Sequence, residues 1–440
     1  MNHRIVRRLF LAAALAAIIP GCKPAKSDSP GSSGTYRVTL HYVLQSVSTN
    51  MAAVALPIMS SNDLALLQTQ SGVTQTTGKG FVYGVIRDPA SAPVNLAQIQ
   101  AINDTNTVIG TVIYRTGTGF NGITNTNATG QFIIFNLDVG RINLRVIGGA
   151  TGNIYVRVEA DGCTSVNVPT QAVAADVMLS GVTQSYVNVG GPTPLPATTV
   201  AAIGFGAPFP QVSDGTGNYS TGPTTVDANS LHLLKVTNGA NVTAYNYAKT
   251  AAVNLVQNLF SVTVAERAST DFTPATVILD ALKGIIRGKV NGAAGNDGYT
   301  VLAMNNAGSI VGIAAYGDST ASNTPGIATS TDTSGIFYIY NVDPGTILLR
   351  AVKTGFAGAA LVEVEADSIT FTHDTQLSAT AATNATISVT GSVFELTSGT
   401  VAGVNLALRG TLVTGSSDAF GAFGFSGVPS NSGFVVRTSK

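Results

Sequence analysis

Apolar and polar residues alternate along many short stretches of this chain. Residues 142–146 read Ile-Asn-Leu-Arg-Val, and such a period of two puts one face of a β-strand in a core and the other in water. Turn-forming pairs such as the Asn-Gly at 121–122 separate these stretches. The pattern predicts an all-β protein made of sandwiches. Only the stretch near residues 248–259 looks helical.

One motif recurs along the chain, namely Asp or Asn, two residues, Gly, one residue and Phe. Its glycines and phenylalanines are Gly130 and Phe132, Gly335 and Phe337, and Gly421 and Phe423. We align a weaker second copy at Asn229 and Leu231, because asparagine also tolerates a positive φ. The four anchors lie about 100 residues apart, the size of a small domain. The sequence therefore predicts about four repeated domains, within the range of two to four that the length allows.

The motif residues have a structural interpretation. Glycine permits a positive φ at a tight turn, and burying the phenylalanine that follows contributes ~1.5–3 kcal/mol. Three of the units also open with a similar strand: Val82-Tyr-Gly84, Ile286-Arg-Gly288 and Val389-Thr-Gly391. We therefore expect the motif to serve folding and not catalysis.

The predicted organisation has seven parts. They are a signal peptide (1–21), a lipidated Cys22 with a flexible tether (22–36), a segment of unclear fold (37–79), unit 1 (80–180), a divergent unit 2 (181–284), unit 3 (285–386) and an incomplete unit 4 (387–440). Unit 4 lacks the closing strand of the other units. Either the chain is truncated or another strand completes the edge, and residues 36–73 could supply one. An uncovered edge would be an association site.

The N-terminus has the features of an export signal. Arg4, Arg7 and Arg8 precede an apolar run at 9–19, which is too short to span a bilayer. Ile19-Pro20-Gly21-Cys22 resembles the lipobox of bacterial lipoproteins, although Pro20 replaces the usual small residue. The resemblance implies cleavage before Cys22 and acylation of its sulfur; the alternative is an ordinary cleaved signal that contains a cysteine.

The resemblance also implies that Lys23, which follows Cys22, favours the outer membrane or the cell surface over the inner membrane, because enterobacterial lipoproteins retained in the inner membrane carry an Asp at this place. Residues 23–34, rich in Ser, Gly and Pro, are typical of a flexible tether. Membrane lipid, reached through the acylated Cys22, is thus the first expected partner.

Composition narrows the function classes. Charged residues are 10% of the chain and the net charge is zero, against about 25% charged in average proteins. Nucleic-acid binding requires a basic patch, so we expect no nucleic acid among the partners. The chain has no Trp, four His and two Cys, which leaves little material for a metal or thiol centre. We expect no cofactor, no metal ion and no catalytic residue.

Several motifs resemble catalytic ones but lack the required context. Residues 117–122 match G-x-G-x-x-G, but no helix follows, so we interpret them as a glycine-rich loop. Gly424-Phe-Ser426-Gly427 lacks the last glycine of a nucleophile elbow. We expect His232 at a partly exposed strand position, and Cys163 half-buried in a loop.

Two sets of residues could bind ligands. The first consists of loop carboxylates and amides that could hold calcium but more simply stabilise turns: Asp214, Asn218, Asp227, Asn296 and Asp297. The second consists of tyrosines that could stack on sugars but more simply pack with the ring buried: Tyr114, Tyr155, Tyr245, Tyr247 and Tyr316.

The repeated pattern over residues 80–440 resembles the carboxypeptidase regulatory-like domain. That resemblance implies small transthyretin-like β-sandwiches, which act as accessory, adhesive or carbohydrate-binding-like modules. We therefore expect a non-enzymatic, membrane-anchored scaffold, stalk or adhesin-like array at the cell surface or in the periplasm, with polysaccharide or another surface protein as a candidate partner. The alternatives are a carbohydrate-binding module and an enzyme with an unrecognised site.

Overall fold

The computed structural model confirms an all-β fold. It describes residues 40–439 apart from short segments: 46–49, 118, 123, 149, 173–175, 187–190, 207, 223–225, 229, 240, 252, 306–307, 319–323, 327, 375, 383–385, 396–398 and 431–432. The signal peptide, Cys22 and the tether lie outside the described residues.

The chain forms an N-terminal segment followed by four sandwiches. The segment contains β1 (Leu40–Gln45), β2 (Met51–Ile58) and α1 (Ser61–Ser71). The first sandwich contains β3 (Gly80–Arg87), β4 (Gln98–Asn103), β5 (Val108–Ile109), β6 (Thr111–Thr116), β7 (Gly119–Gly122), β8 (Gln131–Leu137), β9 (Gly140–Ile147), β10 (Ala150–Val158), β11 (Cys163–Pro169) and β12 (Gln171–Ala172). The second contains β13 (Leu179–Ser185), β14 (Thr193–Pro194), β15 (Thr199–Ala202), β16 (Gln211–Val212), β17 (Asn218–Ser220), β18 (Leu231–Thr237), β19 (Asn241–Lys249), β20 (Leu255–Val256), β21 (Leu259–Thr263) and α2 (Val264–Ala268).

The third sandwich contains β22 (Gly284–Gly292), β23 (Thr300–Met304), β24 (Ile313–Asp318), β25 (Thr324–Gly326), β26 (Ile336–Val342), β27 (Gly345–Lys353), β28 (Phe356–Val364), β29 (Ser368–Phe371) and β30 (Leu377–Ala381). The fourth contains β31 (Thr386–Glu395), β32 (Gly399–Thr400), β33 (Asn405–Leu408), β34 (Thr414–Ser416), β35 (Ala422–Pro429) and β36 (Gly433–Ser439).

The helix predicted near residues 248–259 is wrong, since this stretch holds the end of β19, β20 and the start of β21. Its apolar residues lie on no common face: Leu259 is buried, whereas Val253 and Val256 are exposed. The longer helix, α1, begins instead at a capping box, in which Ser60 and Asp63 exchange side-chain-to-backbone hydrogen bonds.

The first strand of each sandwich has the same two neighbours. It pairs antiparallel with the strand that carries the motif's aromatic residue, as in β3–β8, β13–β17, β22–β26 and β31–β35. It pairs parallel with a closing strand, as in β3–β11, β13–β21 and β22–β29. In the fourth sandwich the parallel partner of β31 is β2. The N-terminal segment therefore supplies the strand that the fourth unit lacks.

The N-terminal segment also joins two sandwiches. Strand β1 pairs antiparallel with β36 of the fourth sandwich and parallel with β11 of the first. One sheet thus runs through both sandwiches. Helix α1 packs Leu67 into the core that they share.

The four copies of the motif make the same turn. In the second sandwich the motif is Asp214-Gly-Thr-Gly217-Asn-Tyr219, so our alignment at Asn229 and Leu231 is wrong. Leu231 begins β18, which pairs with β15 and β19 in the opposite sheet, and Asn229 lies outside the described residues. The misalignment arose because tyrosine replaces phenylalanine in this copy and its spacing departs from that of its neighbours.

The turn itself explains the motif residues. In every copy the side chain of Asn or Asp accepts a hydrogen bond from the backbone N–H two residues on, and its carbonyl accepts one from the glycine. The glycines have φ of 64°, 82°, 73° and 76°; they are Gly130, Gly217, Gly335 and Gly421. Each glycine carbonyl then accepts a hydrogen bond from the first strand of its sandwich.

A second glycine lies opposite the aromatic residue in each copy, and in the first and third copies it makes room for the ring. Across the antiparallel pair the partners are Gly84 and Phe132, Gly181 and Tyr219, Gly288 and Phe337, and Gly391 and Phe423. A Cβ on Gly84 would lie 2.4 Å from Cζ of Phe132, and one on Gly288 would lie 2.3 Å from Cζ of Phe337. The four rings are buried.

The sandwiches pack on one another through whole sheet faces. In β8, Phe132 and Ile134 face the core of the first sandwich, whereas Ile133 and Phe135 face the core shared with the fourth. In β26, alternate residues likewise enter the cores of the third and second sandwiches. Strand β29 also pairs with β19, so that one continuous sheet runs through the second and third sandwiches.

Candidate functional site: interfaces, a junction cleft and an exposed sheet

Polar side chains join the first and second sandwiches. Nδ2 of Asn143 donates to the carbonyl of Gly204 at 2.7 Å, and Nδ2 of Asn153 donates to that of Leu231 at 2.7 Å. Arg145 and Asp227 form a bidentate ion pair, at 2.5 and 2.7 Å. This interface places Asp227 in a buried ion pair and not in a calcium loop.

A buried arginine joins three sandwiches. Arg141 pairs with Asp104 of its own sandwich at 2.9 Å and with Glu363 and Glu365 of the third at 3.8 and 3.6 Å. The hydroxyl of Tyr247, in the second sandwich, accepts a hydrogen bond from the N–H of Glu363. Burial raises the pKa of Glu363, and the guanidinium of Arg141 opposes that shift. Because the first sandwich contacts the second, third and fourth, the four do not form an extended stalk.

The other loop residues proposed for calcium stabilise turns. Hydrogen bonds from the side chains of Asn218 and Thr216 lower the pKa of Asp214 to about 2. Oδ1 of Asn296 accepts from the N–H of Gly292 at 3.0 Å, and Asp297 pairs with Lys353 at 3.4 Å. Within the ranges that the structure describes, no three His, Cys, Asp or Glu residues lie together as metal ligands.

The five tyrosines proposed for sugar stacking are unavailable for it. Tyr114, Tyr245, Tyr247 and Tyr316 are buried, and Tyr155 is half-buried and donates from its hydroxyl to the carbonyl of Ile203 at 2.8 Å. The hydroxyls of Tyr114 and Tyr316 accept from backbone N–H groups at 2.9 Å. The residues described contain a single exposed aromatic side chain, Phe420.

His232 and Cys163 are more buried than we expected. His232 is fully buried against Phe205, with ring centroids 4.8 Å apart, and neither ring nitrogen has a hydrogen-bond partner. Burial lowers the pKa of His232 to about 4. Cys163 is buried at the start of β11 and not in a loop, and burial raises the pKa of its thiol.

Both glycine-containing motifs overlap strands. Residues 119–122 form β7, which pairs with β6 and contacts α1, where Oε1 of Gln70 accepts from the N–H of Phe120. Ser426 lies within β35. Neither segment begins a helix, so neither has the geometry of the motif that it resembles.

A cleft of about 260 Å³ opens where the second and third sandwiches meet. Arg287 of β22 lines it together with Phe260, Phe371, Gln257 and Asn258, of which Asn258 is exposed. The sequence offered one signal for this site: Arg287 precedes the repeated glycine, where the other units have Ser180, Tyr83 and Thr390.

One sheet face of the fourth sandwich stays open. Along β35 buried and exposed residues alternate, and Phe423 and Phe425 point inward. A wide, shallow depression of about 790 Å³ runs over this face, lined by small residues such as Thr390, Ser392 and Gly424. Phe420, 82% exposed, occupies a motif position that holds Thr or Ser in the other copies. No helix in the described part of the chain is long and apolar enough to cross a membrane.

Comparisons with known proteins find several solved structures with a low similarity to this chain. No family model matches the chain, and no curated protein matches it. The Bacillus anthracis TIE protein is 10% identical with a TM-score of 0.17, covering 68% of this chain and 51% of that one. BcpA, the major pilin subunit of Bacillus cereus, is 11% identical with a TM-score of 0.16, covering 67% and 99%. A streptococcal ancillary pilin is 8% identical with a TM-score of 0.16, covering 69% and 100%.

The chain thus spans about half the length of the TIE protein. Identities and TM-scores this low do not establish a shared arrangement of domains.

Proposed function

We propose that this chain is a non-enzymatic binding scaffold at the bacterial cell surface, exported and held by lipid on Cys22. It consists of tandem sandwiches of the carboxypeptidase regulatory-like type, with the unit boundaries predicted from the sequence (80–180, 181–284, 285–386 and 387–440). The observation that carries the proposal is the use of the repeated residues: the motif's Asn or Asp, glycine and aromatic side chain all serve the turn and the core. The apolar N-terminal run and the lipobox-like residues support export and anchoring.

The packing of the sandwiches favours a compact scaffold over a stalk. The ion pairs of Arg141 and Arg145 and the sheets shared through β1 and β29 link sandwiches at several faces. Such a body presents loops and the open face of the fourth sandwich in fixed relative positions. Adhesin-like binding to polysaccharide or to a surface protein is the role we assign to them.

A carbohydrate-binding module that stacks sugars on tyrosine is the weaker candidate, because the five tyrosines are buried or hydrogen-bonded within the fold. An array of neutral glycans tests it. Binding that is lost on Phe420→Ala would favour stacking on the exposed aromatic side chain, whereas an unaffected or absent signal would favour the scaffold.

The anchor is tested by detergent phase separation of the full chain. We expect the wild type to enter the detergent phase, since each buried CH₂ contributes ~0.8 kcal/mol and several acyl chains together hold a protein firmly. Cys22→Ser should move it to the aqueous phase. Cys163→Ser, which changes the only other cysteine, is the matched control and should stay in the detergent phase. A wild type found in the aqueous phase would contradict the anchor.

A further inference from the structure

The cleft between the second and third sandwiches contains a cation without a counter-ion. Nη2 of Arg287 donates to the hydroxyl of Tyr186 at 3.0 Å, and the guanidinium lies 4.8 Å from the centre of the same ring. Nε is buried with no hydrogen-bond partner. Asp374 lines the cleft, but no carboxylate of the described residues lies within 4.0 Å of Arg287.

Arg287 differs from the arginines at the other sandwich interfaces in having no carboxylate partner among the described residues. Arg141 and Arg145 are both paired with carboxylates in their interfaces. Arginine stays protonated in proteins, and the half-buried guanidinium of Arg287 lies beside tyrosine with no carboxylate of the described residues to pair with its charge. The repeat does not require a cation here, because Tyr83 and Thr390 occupy the same position in other units. The fold of a single unit therefore does not require an arginine at this position.

We infer that this cleft binds the carboxylate of an acidic sugar through Arg287. A planar guanidinium matches a carboxylate with two parallel N–H···O bonds. The cleft volume of about 260 Å³ lies just below the range for drug-sized ligands, so a single sugar ring suits it better than a folded chain.

The other residues of the cleft suit the rest of such a ligand. Oδ1 of Asn258 accepts from the N–H of Val182 at 3.2 Å, which leaves its Nδ2 group free to donate to a sugar hydroxyl. Gln257 offers a second amide at the rim, and the half-buried ring of Phe260 offers an apolar surface to the C–H face of the sugar.

This inference deepens the binding role proposed above and rests on it. The test is calorimetric titration of the full chain, kept in detergent, with D-glucuronate, D-glucose and acetate. We expect glucuronate to bind and glucose, which lacks the carboxylate, to bind at least tenfold more weakly. Acetate should also bind at least tenfold more weakly than glucuronate, because it makes no contacts to the amides.

Variants assign the site. Arg287→Met should weaken glucuronate binding ~10- to 100-fold, since hydrogen bonds to charged groups contribute ~1.5–3 kcal/mol. Lys289→Met removes a positive charge from the same strand outside the cleft and should leave binding unchanged. Should Arg287→Met lose its native circular dichroism, Gln257→Ala at the rim, expected to weaken binding severalfold, replaces it.

Three results would overturn the assignment: no glucuronate binding, equal binding of glucose or acetate, or undiminished binding by a folded Arg287→Met. A chain that enters the detergent phase but does not bind glucuronate would refute the cleft assignment and leave the proposed scaffold unaffected. A chain that binds glucuronate but is found in the aqueous phase would contradict the lipid anchor and leave the cleft assignment standing.

Discussion

The closure of the fourth sandwich by β2 can be tested with one methyl group. A Cβ on Gly391 would lie 1.9 Å from the carbonyl oxygen of Val54 and 2.7 Å from its carbonyl carbon. Both atoms belong to the backbone of β2, so no side-chain rotation relieves the clash. Gly391→Ala must therefore push β2 away from β31, and the pairing of Leu56 with Val393 is lost with it.

The expected cost follows from what β2 buries. Leu56 and Ile58 are 0% and 3% exposed in the core shared by the first and fourth sandwiches. Exposing one such side chain costs ~1.5–3 kcal/mol, so loss of both predicts a destabilisation of about 3–6 kcal/mol. Denaturant unfolding followed by circular dichroism measures it, and limited proteolysis should release the N-terminal segment from the variant first.

Gly424→Ala is the matched control. Gly424 lies on β35, the other neighbour of β31, and its Cβ would meet only Cγ2 of Thr390 at 3.8 Å. Its effect should stay within about 0.5 kcal/mol, as for ordinary surface substitutions. If Gly391→Ala is as stable as Gly424→Ala, then β2 does not lie beside β31 and the account of the fourth sandwich is refuted.

Three further predictions follow from the interfaces. Asp227→Asn should destabilise the protein by about 2–4 kcal/mol, because it leaves the half-buried Arg145 without its carboxylate, and adding Arg145→Met should recover part of the loss; denaturant unfolding of the single and double variants decides this. His232 has a folded pKa of about 4 against about 6.5 when unfolded, so protons favour the unfolded chain. Its contribution should be complete above pH ~6.5 and fall by roughly 3 kcal/mol as the pH drops towards 4, and His232→Leu should flatten that slope; an unchanged slope would contradict it. Small-angle scattering should give a radius of gyration for the folded body of about 21 Å, whereas four sandwiches in line would give roughly 40 Å.

The fold class and the role of the motif could be predicted because both depend on local chemistry. A period of two in residues 142–146 marks a half-buried strand whatever lies beyond it. An Asx turn followed by a glycine of positive φ is set by six consecutive residues, so the copies at Gly130, Gly335 and Gly421 stand out. The copy at Gly217 has the same turn chemistry, and a search that admitted tyrosine for phenylalanine would have found it.

The arrangement of the sandwiches could not be predicted in the same way. The run Phe132-Ile-Ile-Phe135 has no alternation, which is typical of a strand buried on both faces. That signal shows that something covers the outer face, but it does not say what. For Arg287 the sequence showed only that it departs from the repeat. Whether a carboxylate pairs with it depends on which side chains a distant unit brings near.

The use of an N-terminal strand to complete the last sandwich carries little entropic penalty. The hydrogen bond from the N–H of Ser388 to Oδ1 of Asn50 spans 338 residues, whereas a contact between the first and closing strands of the first sandwich, from Arg87 to Asn167, spans 80. Two doublings of loop length cost roughly 1.2 kcal/mol, less than the burial of Leu56 returns. As a consequence, the fourth sandwich cannot close before β2 reaches β31. Because β1 then pairs with both β11 and β36, the N-terminal segment joins the first sandwich to the fourth.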